Sequence, residues 1–163
     1  MHPSRSTIVH ELAERIRAIE GSGSAAWPPA RGWGIEPLDA LLPEGRGAAG
    51  VLVELLSSAE GAGAWSLAVA LAWPVCGEAK VLVVVDERRG FYPPAVARWG
   101  IDLERLMVVR PRGRRDRLWA WQQALRCPAV GAVVGDGEPL PPLDARRLQL
   151  AAETGGSLGL LLR

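Results

Sequence analysis

The chain is predicted to be an α/β protein, a three-layer α/β/α sandwich on a mainly parallel sheet of five or more strands, preceded by an N-terminal amphipathic helix. Three observations predict it. Short β-type apolar runs alternate with helical segments from Val51 to Arg163. The run Val81-Leu82-Val83-Val84-Val85 is apolar at every position, as in a strand buried on both faces. The 163 residues, 48% of them hydrophobic, suffice for one domain with one core.

In chain order, Ile8, Leu12, Ile16 and Ile19 stand on one stripe of a helix over residues 1–20. Residues 21–32 are rich in glycine, serine and proline and read as a linker, with Trp27 in it as a side chain that seeks a groove. The core domain is assigned to residues 33–163. Strands are expected over residues 51–56, 80–86, 106–110, 130–134 and 157–162, with helices over 64–73, 94–99, 114–125 and 143–153. Crossovers between parallel strands should be right-handed. Trp73 stands before Pro74, where it is expected to cover a helix end.

A formal charge of +1 argues against a dedicated nucleic-acid binder with a broad basic surface. Lys80 is the only lysine, so the basic side chains are almost all arginine, suited to planar bidentate contacts. Cys76 and Cys127 lack CxxC spacing and are expected to be buried, inert thiols of a cytoplasmic protein. No apolar run approaches the roughly 18 residues that cross a bilayer.

Ligands of such sheets sit beyond the carboxyl ends of the strands, which points first to the segment from Ser57 to Leu67. A phosphate-binding loop here would read GxxxxGK[ST], with lysine reaching the terminal phosphates and a hydroxyl holding magnesium. With Gly63 set on the second glycine, Ser58 takes the first, Gly61 lies between, and Ala64 and Trp65 replace lysine and hydroxyl. The missing lysine forfeits charge-assisted bonds worth about 1.5 to 3 kcal/mol each. Two readings follow: a Gly-rich turn capping the next helix, or a weak nucleotide site or anion nest at that helix's start. Asp86, Glu87 and Asp136 end strands as nucleotide-site acids do, and without lysine they read as remnants. No cofactor and no metal are expected.

The stretch from Gly34 through Leu38, Asp39 and Leu42, with Gly45, Gly47 and Gly50 leading into Val51, resembles the RecA and RadA pattern before the loop-bearing strand. The N-terminal helix followed by Glu20-Gly21-Ser22-Gly23 is similar to a RecA polymerisation arm. Gly100 to Leu106, Leu118 to Pro128 and Arg146 to Glu153 resemble the ImuA family, itself similar to RecA and to the division inhibitor SulA.

This resemblance implies a RecA-like fold and a role in DNA-damage-induced mutagenesis, beside ImuB and an error-prone polymerase and in contact with RecA. It also implies a cytoplasmic place, at the nucleoid when engaged. Family members continue beyond the position of Arg163, so functions housed there, ImuB contacts among them, are not carried over. Strand exchange is not expected. Self-association and weak direct DNA binding stay open. The alternatives are a SulA-like inhibitor that binds FtsZ and a residual RecA-type nucleotide-binding protein.

Arg110, Arg112, Arg114, Arg115 and Arg117 gather where the third strand gives way to a helix. Arginine in a first helical turn opposes the macrodipole by about 0.3 to 1 kcal/mol, offset here in part by Asp116. The cluster reads either as an anion or acidic-partner surface or as a solvated loop. Trp119 and Trp121, two positions apart, cannot share a helix face, so at least one enters the core. An exposed partner would be an interface anchor. Trp33 and Trp99 are open between core and surface in the same way. Catalytic motifs are lacking: there is no GxSxG elbow, and the only histidines are His2 and His10.

Overall fold

The computed structural model describes Trp33 and residues 35–40, 48–59 and 61–163. The expected N-terminal helix with Ile8, Leu12, Ile16 and Ile19, and the linker with Trp27, lie outside the described residues. After α1 (Glu36–Asp39) come β1 (Val51–Leu55), α2 (Ala64–Cys76), β2 (Val81–Val85) and α3 (Pro93–Ala97). A 3-10 turn (Leu103–Arg105) then leads into β3 (Leu106–Val109), α4 (Arg114–Arg126), β4 (Val130–Asp136), α5 (Pro142–Gly155) and β5 (Leu158–Leu162).

The five strands are all parallel and run in the order β1-β5-β4-β2-β3. Alternation along each strand sorts the core by face. Leu82, Val84, Ala132 and Val134 join Leu158 and Leu160 under α2, while Val83, Val85, Val133 and Leu161 meet Trp121, Leu125, Leu148 and Ala152 of α4 and α5. Both faces of the central strands are therefore dry, and the expected three-layer α/β/α sandwich is what forms. Gly131 permits the closest layer contact: a Cβ there would stand 2.5 Å from Cys76 Cα.

Gln149 of α5 closes the β1 edge. Its Oε1 accepts from Leu52 N at 3.0 Å and its Nε2 donates to Gly50 O at 3.0 Å, giving the outer backbone groups of an edge strand side-chain partners.

Two local expectations are corrected. Helix α2 does not stop before Pro74 but continues to Cys76, which is buried against β4. Pro74 brings no N–H to the carbonyl four residues back, and the burial of Cys76 holds the last turn in spite of that cost. Trp73 stands in that last turn, under the Arg105 guanidinium, 4.5 Å from the ring centroid. Arg105 Nη1 itself donates to Gly77 O at 2.7 Å. Cys127 is exposed, because it follows the last residue of α4 in the turn to β4, whereas Cys76 is buried as expected.

Candidate functional site

The carboxyl edge of the sheet gathers the predicted loop, the acids and the arginines. After β1 the backbone turns through Gly61 (φ 80°) and Gly63 (φ 84°), both in the left-handed region open to glycine. Gly63 is the N-cap of α2, and its carbonyl accepts from Leu67 N at 2.9 Å. The loop is tied to itself and to β5: Ser57 Oγ donates to Ala59 O at 2.7 Å and Ser57 N to Arg163 O at 2.6 Å. Ser58 is exposed, and Ala64 and Trp65 are half-buried. The Trp65 ring packs on Phe91 with centroids 5.6 Å apart, joining the α2 face of the core.

The three acids are held by arginines of the same chain. Asp86, buried, accepts from Gly90 N at 2.9 Å and from Arg110 Nε at 3.4 Å. Glu87 accepts from Arg117, whose other side meets Glu138 at 3.9 Å. Asp136 pairs with Arg88 at 3.1 Å, while its Oδ1 is buried with no hydrogen-bond partner. Burial pushes the Asp136 carboxyl above its ordinary range, with Arg88 pulling the other way.

The arginine cluster divides. Arg110 and Arg117 face inward to Asp86 and Glu87. Arg114 crosses to Asp144 of α5 at 2.5 Å. Arg112 and Arg115 are exposed, with no carboxylate partner among the described residues. The tryptophans divide as well: Trp121 is 1% exposed and Trp119 is 64% exposed. Trp33 is buried and Trp99 exposed.

Trp119, Arg114 and Arg115 line a groove of about 520 Å³ whose other wall is Asp144, Arg147 and Leu148 of α5. The α5 wall was not singled out from the sequence. Its signal is present, because Asp144, Arg147 and Leu148 follow the i, i+3, i+4 spacing of one helix side, but only the packing of α5 on α4 gives it meaning.

Fold and edge together define a class: a three-layer α/β/α domain with a glycine-containing turn after its first strand and acids at the carboxyl edge of the sheet that pair with arginines of the same chain. Within it the chain is similar to Protein ImuA of Caulobacter vibrioides. In both strain NA1000 / CB15N and strain ATCC 19089 / CIP 103742 / CB 15 the match is 33% identical over 81 residues, half of this chain and a third of the relative. The resemblance to ImuA expected from the sequence is thus recovered, over a third of the length of the curated relatives. The fold is also that of SulA from Pseudomonas aeruginosa, with a TM-score of 0.59 at 23% identity over 69% of this chain and 96% of that one. No protein-family model matches.

Proposed function

We propose that this chain is a non-catalytic, RecA-like accessory protein of the DNA-damage response, acting in error-prone translesion synthesis by binding RecA and the ImuB-containing polymerase complex. The observation that carries the reading is the loop after β1. Ala64 and Trp65 stand at the positions of the phosphate lysine and the magnesium hydroxyl, and Trp65 is committed to packing on Phe91. An indole cannot ligate magnesium, and alanine brings no charge to a phosphate. The internal pairing of Asp86, whose two oxygens accept from Gly90 N and Arg110, and of Glu87 with Arg117 supports the same reading, since a metal-binding acid must have lone pairs free for the ion; Asp136 is paired with Arg88 through Oδ2 alone.

In this reading residues 1–20 form an arm and residues 21–32 its linker. Ile8, Leu12, Ile16 and Ile19 dock on a RecA-like neighbour, while Trp27 adds a second contact. With no nucleotide bridging the interface from this side, such a subunit caps a filament instead of extending it. Leu12→Glu with Ile16→Glu abolishes the interaction and leaves the core domain folded.

The test is calorimetry of Mg-ATP on the purified chain, followed by co-purification with RecA and with ImuB. Silent calorimetry and retained RecA fit the proposal. Nucleotide binding with a tryptophan fluorescence change would overturn it. The likeness to SulA is one of fold alone, and a complex with FtsZ in place of RecA would replace this reading with a division inhibitor.

A further inference from the structure

We propose that the groove between α4 and α5 is a docking site for a short acidic segment of a partner protein, anchored by an apolar side chain laid against Trp119. This rests on the reading of the chain as a protein that acts by binding others, and it names the chemistry of one partner surface.

The first ground is the exposure of Trp119. A helix that turns one indole fully into the core at Trp121 leaves the other 64% exposed, beside Leu118 and Leu148 at the groove floor. Tryptophan contributes most to binding when a partner removes it from water, and it leads the residues found at interface hot spots. Leu143, 63% exposed, and Leu150, 44% exposed, stand with Arg147 at i, i+4 and i+7 on the outer stripe of α5 and extend the apolar surface along it.

Charge supplies the second ground. Arg114, Arg115 and Arg147 line the groove against one carboxylate, Asp144. Asp144 is shared, 2.5 Å from Arg114 and 3.8 Å from Arg147, so the closer arginine takes most of it. The Arg114 to Asp144 pair ties the starts of α4 and α5 together and fixes the groove's width before any partner arrives. Arg115 and Arg147 flank Trp119 with donors to spare, in the fork geometry that suits carboxylates.

A nucleic-acid backbone fits less well. A phosphate track needs an uninterrupted row of cations, and here Asp144 sits in the wall and Asp116 is exposed on the same first turn of α4. A peptide can place its acids on Arg115 and Arg147, keep them off Asp144, and fill the space between with an apolar side chain.

The experiment is fluorescence polarisation on the full chain with a labelled synthetic peptide in which aspartate and glutamate flank one phenylalanine. The same peptide with its acids changed to amides and an unstructured single-stranded oligonucleotide serve as competitors. The acidic peptide is expected to bind and to weaken with salt. Trp119→Ala and Arg115→Glu should each weaken it by about tenfold or more. Arg98→Glu, at an exposed arginine just after α3 and across the sheet, should leave it unchanged. All three positions are exposed, and thermal melts verify that the variants fold.

Absence of peptide binding, binding indifferent to Trp119 and Arg115, or tighter binding of the oligonucleotide through those residues would each overturn the proposal. So would a dimer in sedimentation that Trp119→Ala dissolves, because a second copy would then be the occupant. Mg-ATP calorimetry on the same preparation separates the two readings. Nucleotide binding ends the non-catalytic reading and leaves the groove intact, whereas a groove that fails with silent calorimetry leaves that reading standing.

Discussion

Arg88 Nε stands 3.1 Å from Asp136 Oδ2, so the loop after β2 holds the acid that ends β4, while the acid's other oxygen is buried with no partner. Desolvation outweighs the arginine, and the carboxyl is raised above its ordinary 3.8. A group whose folded pKa lies above its unfolded one holds its proton more tightly in the native state. Its contribution to stability is therefore complete below the unfolded value and is lost as pH rises through the folded value. Asp136→Asn removes that loss. It should be more resistant to urea than the parent chain at neutral pH and equal to it below 3.8. The Arg88 pair forfeited in the variant is a minor cost, because the Arg88 side chain is 72% exposed. A variant weaker at neutral pH would mean that the ion pair outweighs desolvation.

The two thiols should be separable by chemistry. Burial pushes the Cys76 thiol up to about 11, and its sulfur donates to Ala72 O at 3.5 Å. Cys127 is exposed. Since the thiolate is the reactive form, a disulfide reagent at mildly alkaline pH should modify Cys127 in the native chain and reach Cys76 only on unfolding. Titration with and without denaturant counts them. Two fast thiols in the native state would show that the last turn of α2 opens.

Strands were readable because each carries a short apolar run, interrupted in β1 only by Glu54 and closed in β4 by Asp136, and the order of helices followed from what lay between them. The long-range pairs were not. Arg117 and Glu87 are 30 residues apart and meet because α4 packs across β2 and β4. Helical spacing established that Trp119 and Trp121 face differently, but the inward side of α4 is set by which stripe meets β4 and β5. Gly159 lies against Trp121 and admits that one indole. Pro74 misled for a physical reason: the rule that proline ends a helix weighs local backbone cost, and the burial of Cys76 outweighs it.

Gly155, in the last turn of α5, should tolerate no side chain. A Cβ there would meet Leu125 O at 2.1 Å and Arg126 C at 2.7 Å, both backbone atoms, and Leu125 O also accepts from Ser157 Oγ at 2.7 Å. Gly155→Ala must push α5 away from α4 and break that bond, at about 3 kcal/mol, the upper end for overpacking. Gly159→Ala meets Leu52 Cδ1 at 2.6 Å, the end of a flexible side chain, and should cost less than Gly155→Ala. Urea midpoints of the two variants test the order. Reversal would mean that the α4 to α5 contact yields more readily than the β1 side of the sheet.

Arg117 offers the sharpest test of whether the edge acids satisfy themselves. Its side chain is 11% exposed and engages Glu87, itself 26% exposed, with the more open Glu138 at 3.9 Å. Removing the cation alone leaves a part-buried carboxylate without its partner. Arg117→Ala should therefore cost about 2 to 3 kcal/mol, below the ~3 to 5 of a fully buried pair because water still reaches Glu87. Glu87→Gln strands the buried guanidinium in turn. Replacing both, as Arg117→Met with Glu87→Gln, removes the charges together and should recover much of either single loss. The cycle, closed with Arg117→Met and Glu87→Gln alone, should give a coupling within about 0.5 to 3 kcal/mol in equilibrium denaturation. Strictly additive costs would mean that Arg117 and Glu87 do not share one interaction, and Glu87 would then be free to meet a ligand from outside the chain.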